Sequence, residues 1–166
     1  MTNLAALNAL VPAVAAAEFM RCCGARRWAE RMTSARPFAT EADLFAAAEH
    51  LWSGLASKDW LEAFAAHPRI GGVATSAWSR AEQTGVTDAG SDVQPELARL
   101  NVEYEARFGH VFLICATGRS ADEMLNELRR RLHHGPAEEL RTAAAEQTKI
   151  TRLRLEKLLT APYEEA

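Results

Sequence analysis

Apolar residues recur at three- and four-residue spacings along nearly the whole chain, the pattern of amphipathic helices packed on a core. Pro12 to Cys23 carries Val14, Phe19 and small residues, and stops at Gly24, a natural residue just past a helix end. Arg26 to Met32 forms a short second helix. Thr40 caps a third, with Glu41 and Asp43 in its first turn, and Leu44, Ala47, Ala48 and Leu51 follow at helical spacing up to Gly54. Ser57 caps the next, which carries Trp60, Leu61 and Phe64 toward His67. Pro95 suits the first turn of a helix whose stripe is Leu97, Leu100, Asn101, Tyr104 and Phe108, before Gly109. Ser120 with Glu123 makes a capping box for a helix running to Gly135-Pro136. Ala137 to Leu159 is one long helix, with Leu140, Ala144, Ile150, Leu153 and Leu158 turned inward and Pro162 ending it.

Two stretches break the pattern. Val111 to Ala116 is continuously apolar but too short for a helix, and is expected to be an extended buried segment. His67-Pro68-Arg69-Ile70-Gly71 is irregular: Pro68 cannot continue the helix that ends near Ala66, and it biases His67 away from the helical region. His67 is therefore expected at a helix exit, facing a cleft. Asn101 is the odd member of an apolar stripe and needs a hydrogen-bond partner there. No linker or internal repeat appears, so the expectation is all-α, a single-domain bundle over residues 1–166 with about seven to nine helices.

Composition narrows the class without changing the fold. The 166 residues are 48% hydrophobic and 25% charged, which suits one domain with a sizeable core. A net charge of -3 argues against a nucleic-acid partner. The basic run Arg129-Arg130-Arg131 falls at the end of a helical pattern, where it complements the helix dipole. Three cysteines without a CxxC pair fit a reducing compartment. The Ala-rich start lacks an early basic region, no apolar run approaches the roughly 20 residues that span a membrane, and the last residues form no peroxisomal address. The expectation is a cytoplasmic protein with no membrane partner.

Chemistry centres on His67, Glu82 and Arg152: a base near neutral pH, a carboxylate and a fixed cation. Each has a plain alternative. His67 could only end a helix, Glu82-Gln83 could be a solvated face, and Arg152 could form surface ion pairs beside Lys149, Arg154 and Lys157. A thiol hydrolase would need Cys22, Cys23 or Cys115 beside a base, and Cys115 sits in an apolar run that suits an inert thiol. There is no HExxH, HxxxH or Cys-His cluster, so no metal site is expected.

The motifs together are more specific than any one of them. Arg36-Pro37-Phe38, His67-Pro68-Arg69-Ile70-Gly71, Ser79-Arg80-Ala81-Glu82-Gln83, Leu100-Asn101-Val102-Glu103-Tyr104 through Phe108-Gly109, and Lys149-Ile150-Thr151-Arg152-Leu153 occur in order. In this set the chain resembles the decarboxylases of 2-oxo-4-hydroxy-4-carboxy-5-ureidoimidazoline (OHCU). The resemblance implies an all-helical, cofactor-free enzyme, commonly a homodimer, that converts OHCU to (S)-allantoin and carbon dioxide in urate breakdown. It implies His67 as the central catalytic residue and Glu82 as a group that binds or orients substrate, and the chemistry of the substrate makes Glu82 the expected catalytic partner of His67 in proton transfer. Pro68, Ser79, Gln83 and Arg152 would contact substrate, as would the backbone of Phe112, Leu113 and Ile114. His110-Val111 departs from the Phe-Pro pair of many relatives. A helical ligand-binding module without turnover is the alternative.

Overall fold

The computed structural model describes residues 3–71, 77–87 and 92–161. Among them it shows ten helical segments and no strand, and the expectation of an all-α fold is met. Taking α6 and α7 below as one helix interrupted at Gln83 gives nine. Contacts divide the chain into two compact units, Met1–Ala63 with Thr148–Ala166, and Phe64–Gln147.

The first unit contains α1 (Leu4–Ala9), α2 (Pro12–Cys22), α3 (Arg26–Ala35), α4 (Glu41–Ser53), most of α5 (Ser57–Ala65) and the second half of α10 (Pro136–Thr160). Pro12 opens α2, where its missing N–H costs nothing. The chain leaves α2 through an extended Cys23 (φ -150°, ψ 121°), so the break before Gly24 needs no left-handed residue. Phe19 and Trp28 meet edge to face at 5.9 Å, and the Trp28 indole donates to the Ala48 carbonyl at 3.1 Å. Helix α1 is absent from the sequence expectation, and its anchor is Arg36. That guanidinium donates to the carbonyls of Leu7 and Leu10 at 2.8 Å and of Thr33 at 3.1 Å, collecting the unpaired ends of α1 and α3. Thr40 caps α4 as expected, and with Asp43 it forms a reciprocal capping box. Ser57, in contrast, is the first helical residue of α5, and the Ala56 carbonyl accepts from Asp59 and Trp60 in its place.

The second unit contains the end of α5, α6 (Ala77–Glu82), α7 (Thr84–Thr87), α8 (Val93–Phe108), α9 (Ala121–Arg131) and the first half of α10. Leu97, Leu100 and Tyr104 of α8 pack with Ile70, Phe112, Ile114, Met124 and Leu128 in one buried cluster. Gly109 ends α8 in the left-handed region (φ 78°), and its N–H returns to the Glu105 carbonyl. Residues 110–116 then run without regular structure, with Phe112, Leu113 and Ile114 buried, as the apolar run suggested.

Helix α9 stops at Arg131, four residues short of the expected Gly135. The reason is Arg131 itself. Only Arg129 and Arg130 behave as a basic helix end, pairing with Glu96 and Glu127. Arg131 is fully buried against Glu139 of α10 at 2.5 Å, and residues 132–134 form a tight turn between the two helices. Among the described residues, no helix is long and apolar enough to cross a membrane.

Candidate active site

The HPRIG loop is fastened along its length. Directly after α5, the His67 N–H donates to the Phe64 carbonyl at 3.1 Å, and the half-buried ring faces α10. Its Nε2 lies 2.7 Å from Oε1 of Gln147, a residue with no solvent exposure. An amide oxygen only accepts, so Nε2 carries the hydrogen in this contact. Arg69 makes a two-pronged contact with Glu105 of α8 at 2.7 and 2.9 Å. Asn101 supplies the partner its position demanded, donating Nδ2 to the Ile70 carbonyl at 3.3 Å. At the end of the loop, Gly71 takes φ 81°, and its N–H donates to Gln83 Oε1 at 3.1 Å.

Glu82 and Gln83 lie three and four residues after Ser79, so α6 and its last turn set the three on one side. Ser79 is buried, while Glu82 and Gln83 are half-buried. The following α7 approaches the chain closely: a Cβ on Gly85 would run into the Arg119 carbonyl oxygen. Gly85 is therefore needed for contact, where Gly71 is needed for backbone conformation.

The extended segment is gripped at two points. Arg131 Nη1 donates to the Leu113 carbonyl at 2.7 Å, and the Cys115 N–H donates to Glu146 of α10 at 3.2 Å. Phe112, Leu113 and Ile114 are each at most 3% exposed. Among the described residues, their backbone N–H groups meet no acceptor. Buried amides of this kind normally have a partner, such as water or a ligand.

Within the second unit, then, the structure brings His67 and Pro68 together with Gln83 through Gly71. Arg152 belongs to the first unit. It is half exposed, pairs with Glu156 at 3.3 Å and lies 4.3 Å over the Phe45 ring. With Phe45, Ala48, Glu49, Trp52, Thr148, Thr151 and Leu155 it lines a groove of about 260 Å³. Arg154, two residues on, is only 8% exposed and donates to the Arg21 carbonyl at 3.3 Å.

Cys22 and Cys23 do not suit nucleophilic work, whereas Cys115 is partly exposed rather than buried. Burial pushes both Cys22 and Cys23 up to about 12, which keeps them protonated at neutral pH. Among the described residues, no group of three His, Cys, Asp or Glu side chains is arranged to hold a metal.

Sequence reasoning missed Gln147 and the Arg131–Glu139 pair. Counting Leu140, Ala144, Ile150, Leu153 and Leu158 as the inward side of the long helix passed over Glu139, Glu146 and Gln147. All three are buried, whereas Leu140 and Leu153 are only partly so. The signal was a set of polar residues at helical spacing beside the apolar ones.

These features define an all-helical fold that presents one histidine from a proline-broken loop beside buried polar groups. A protein-family model described as OHCU decarboxylase matches residues 8–156, across both units, and the chain belongs to that family. Among curated relatives, the Arabidopsis thaliana uric acid degradation bifunctional protein TTL is 36% identical over 86% of this chain and 47% of its own length. The 2-oxo-4-hydroxy-4-carboxy-5-ureidoimidazoline decarboxylase of Amia calva is 37% identical over 78% of each chain. The chain thus spans about half of the plant protein but most of the fish one. A crystal structure of OHCU decarboxylase in the presence of (S)-allantoin superposes with a TM-score of 0.79 at 38% identity, covering 87% of this chain and 98% of that one.

Proposed function

We propose that this chain is a carboxy-lyase that converts OHCU to (S)-allantoin and carbon dioxide without a cofactor. The observation that supports the reading most is the fixed His67: the amide of the fully buried Gln147 holds the ring through Nε2, at the exit of α5. The substrate supplies its own electron sink. When the carboxylate leaves as carbon dioxide, its bonding pair forms a carbon–carbon double bond and the adjacent imine pair moves to nitrogen, which takes up a proton. The ring hydroxyl then loses its proton to become a carbonyl, and a proton added to one face of the neighbouring carbon fixes the S configuration.

His67 Nδ1 and the Glu82 carboxylate are the groups assigned to take the hydroxyl proton and to govern the one delivered to carbon. Ser79 and Gln83 orient the ring. Gln83 has already committed its carbonyl oxygen to Gly71, so its NH2 is the part left to donate. Pro68 packs beside the ring. The amides of Phe112, Leu113 and Ile114 donate to ring and ureido oxygens, supported by their burial without an acceptor among the described residues. The departing carboxylate is held loosely, because grip lost in the transition state slows the step.

The binding cation is assigned to α10. Arg152 is the residue the motif suggests, and its place over Phe45 beside a groove is compatible with that. A specific observation favours Arg154. Seven residues, two helical turns, separate it from Gln147, so both lie on the same buried side of α10, whereas Arg152 is rotated away and half exposed. A homodimer working in the cytoplasm and a single domain complete the reading, the last supported by one family model running through both units.

Steady-state decay of freshly generated OHCU tests these roles. His67→Asn should lower kcat with KM little changed, and the arginine that binds substrate should reveal itself by a raised KM when replaced by Ala. A wild-type protein that binds OHCU but leaves its decay rate unaltered would mark a binding module instead.

A further inference from the structure

A buried polar cluster of the second unit has no role in the reaction described above, yet it touches the segment that does. Glu139 has no solvent exposure, and its Oε1 accepts from Nε and Nη2 of Arg131 at 2.7 and 2.5 Å and also from the Tyr104 hydroxyl. Its Oε2 lies 3.0 Å from Nδ1 of His134. The third arm of the same guanidinium, Nη1, holds the Leu113 carbonyl at 2.7 Å, and its carbon lies 4.6 Å over the Phe112 ring. Tyr104 closes the cluster by packing its ring edge-on against Phe112 at 5.4 Å.

Such an arrangement is a poor way to gain stability. Removing two charges from water costs several kcal/mol, and apolar residues of the same size often serve as well. What it does supply is direction: a planar fork with fixed donors sets the angle and position of whatever carbonyl it holds. Here the carbonyl belongs to Leu113, in a stretch with no helix or strand to fix its backbone. The Leu113 carbonyl shares its peptide plane with the Ile114 N–H, and the Cys115 N–H lies in the next plane, so the two grips set the consecutive peptide planes on either side of Ile114, while Arg131 and Tyr104 hold the Phe112 ring.

We propose that Arg131, Glu139 and Tyr104 are positioning residues for the substrate, acting through the extended segment to aim the amides of Phe112, Leu113 and Ile114. The proposal rests on the assignment of those amides as ligand donors. It explains why one arginine of a three-arginine run is withdrawn into the core, and why α9 ends there.

The test compares the wild type with two variants in OHCU turnover and in amide hydrogen exchange at residues 112–115. The triple substitution Arg131→Met, Glu139→Leu and Tyr104→Phe replaces the cluster with apolar groups and leaves no charge orphaned. Arg131→Lys keeps the charge but cannot hold Glu139 and Leu113 with one fork. The triple variant should stay folded, exchange faster at the segment and show KM raised by about tenfold or more with a smaller change in kcat. Arg131→Lys should move KM and exchange the same way. Wild-type KM and exchange in a folded triple variant would overturn the proposal, and should that variant not fold, the same result in Arg131→Lys would do so. If the wild type itself fails to accelerate OHCU decay, the functional reading falls instead, and faster exchange in Arg131→Lys would still establish that the cluster sets the segment.

Discussion

The two halves of α10 are one continuous helix with opposite interiors. From Pro136 to Gln147 its buried side carries Glu139, Glu146 and Gln147, and each holds something outside the helix: Arg131, the Cys115 amide and the His67 ring. From Thr148 to Thr160 the buried side carries four large apolar residues, Ile150, Leu155, Leu158 and Leu159, with Thr151 and Arg154 beside them. The second half follows ordinary helix packing, where apolar area removed from water is the main gain. In the first half, buried polar groups are matched one to one with irregular backbone and a titratable ring, which gives direction at the expense of burial. The lesson is that the functional stretch of a helical enzyme need not be on its exposed face.

This contrast can be broken most severely at Glu139. Replacing it by Ala leaves Arg131 as an uncompensated buried charge, and urea denaturation should show a loss of about 3–5 kcal/mol. Leu158→Ala in the second half should cost about 2–5 kcal/mol by cavity formation, with KM for OHCU unchanged in the folded fraction. Gln147→Leu should lower kcat by about 10–100-fold by releasing the His67 ring, with a smaller effect on stability than Glu139→Ala, since the amide it removes is neutral.

Smaller effects sharpen the same division. The thiols of Cys22 and Cys23 are pushed from 9.0 to about 12 by burial, so the folded state keeps protons that the unfolded chain releases. Their contribution is present below about pH 9 and is lost as pH rises toward 12, so stability should decline over that window, and a Cys22→Ala, Cys23→Ala variant should flatten the decline. Smallest of all is the exposed Arg152–Glu156 pair, whose removal by Glu156→Gln should change stability by about 0–1 kcal/mol.

Helix periodicity and caps made most of the fold legible. Thr40, Ser120 and Gly109 act locally, and the structure places each at the boundary expected of it. Where the sequence misled, the causes differ: Arg131 looks like a helix-end charge until its tertiary partner Glu139 is placed beside it, whereas at Ser57 the helix begins one residue earlier than the cap reading allows, with the Ala56 carbonyl accepting from Asp59 and Trp60. His67 was legible because Pro68 breaks a helix at one residue. Gln147 was harder to read, because its signal, a helical spacing shared with Glu139 and Glu146, emerges only when the long helix is taken as a whole. The two α10 arginines differ by two positions in sequence and by burial in the structure, which periodicity can separate once one inward residue is known.

The most direct test of the account is circular dichroism of OHCU generated in place from urate, with the wild-type protein, with His67→Asn, and with neither. Rapid growth of the (S)-allantoin signal with wild type, and slow formation of racemic product in the other two samples, is the expected result. An equally fast, equally chiral product with His67→Asn would contradict the central role of His67. Racemic product at the spontaneous rate in all three samples would contradict the decarboxylase assignment.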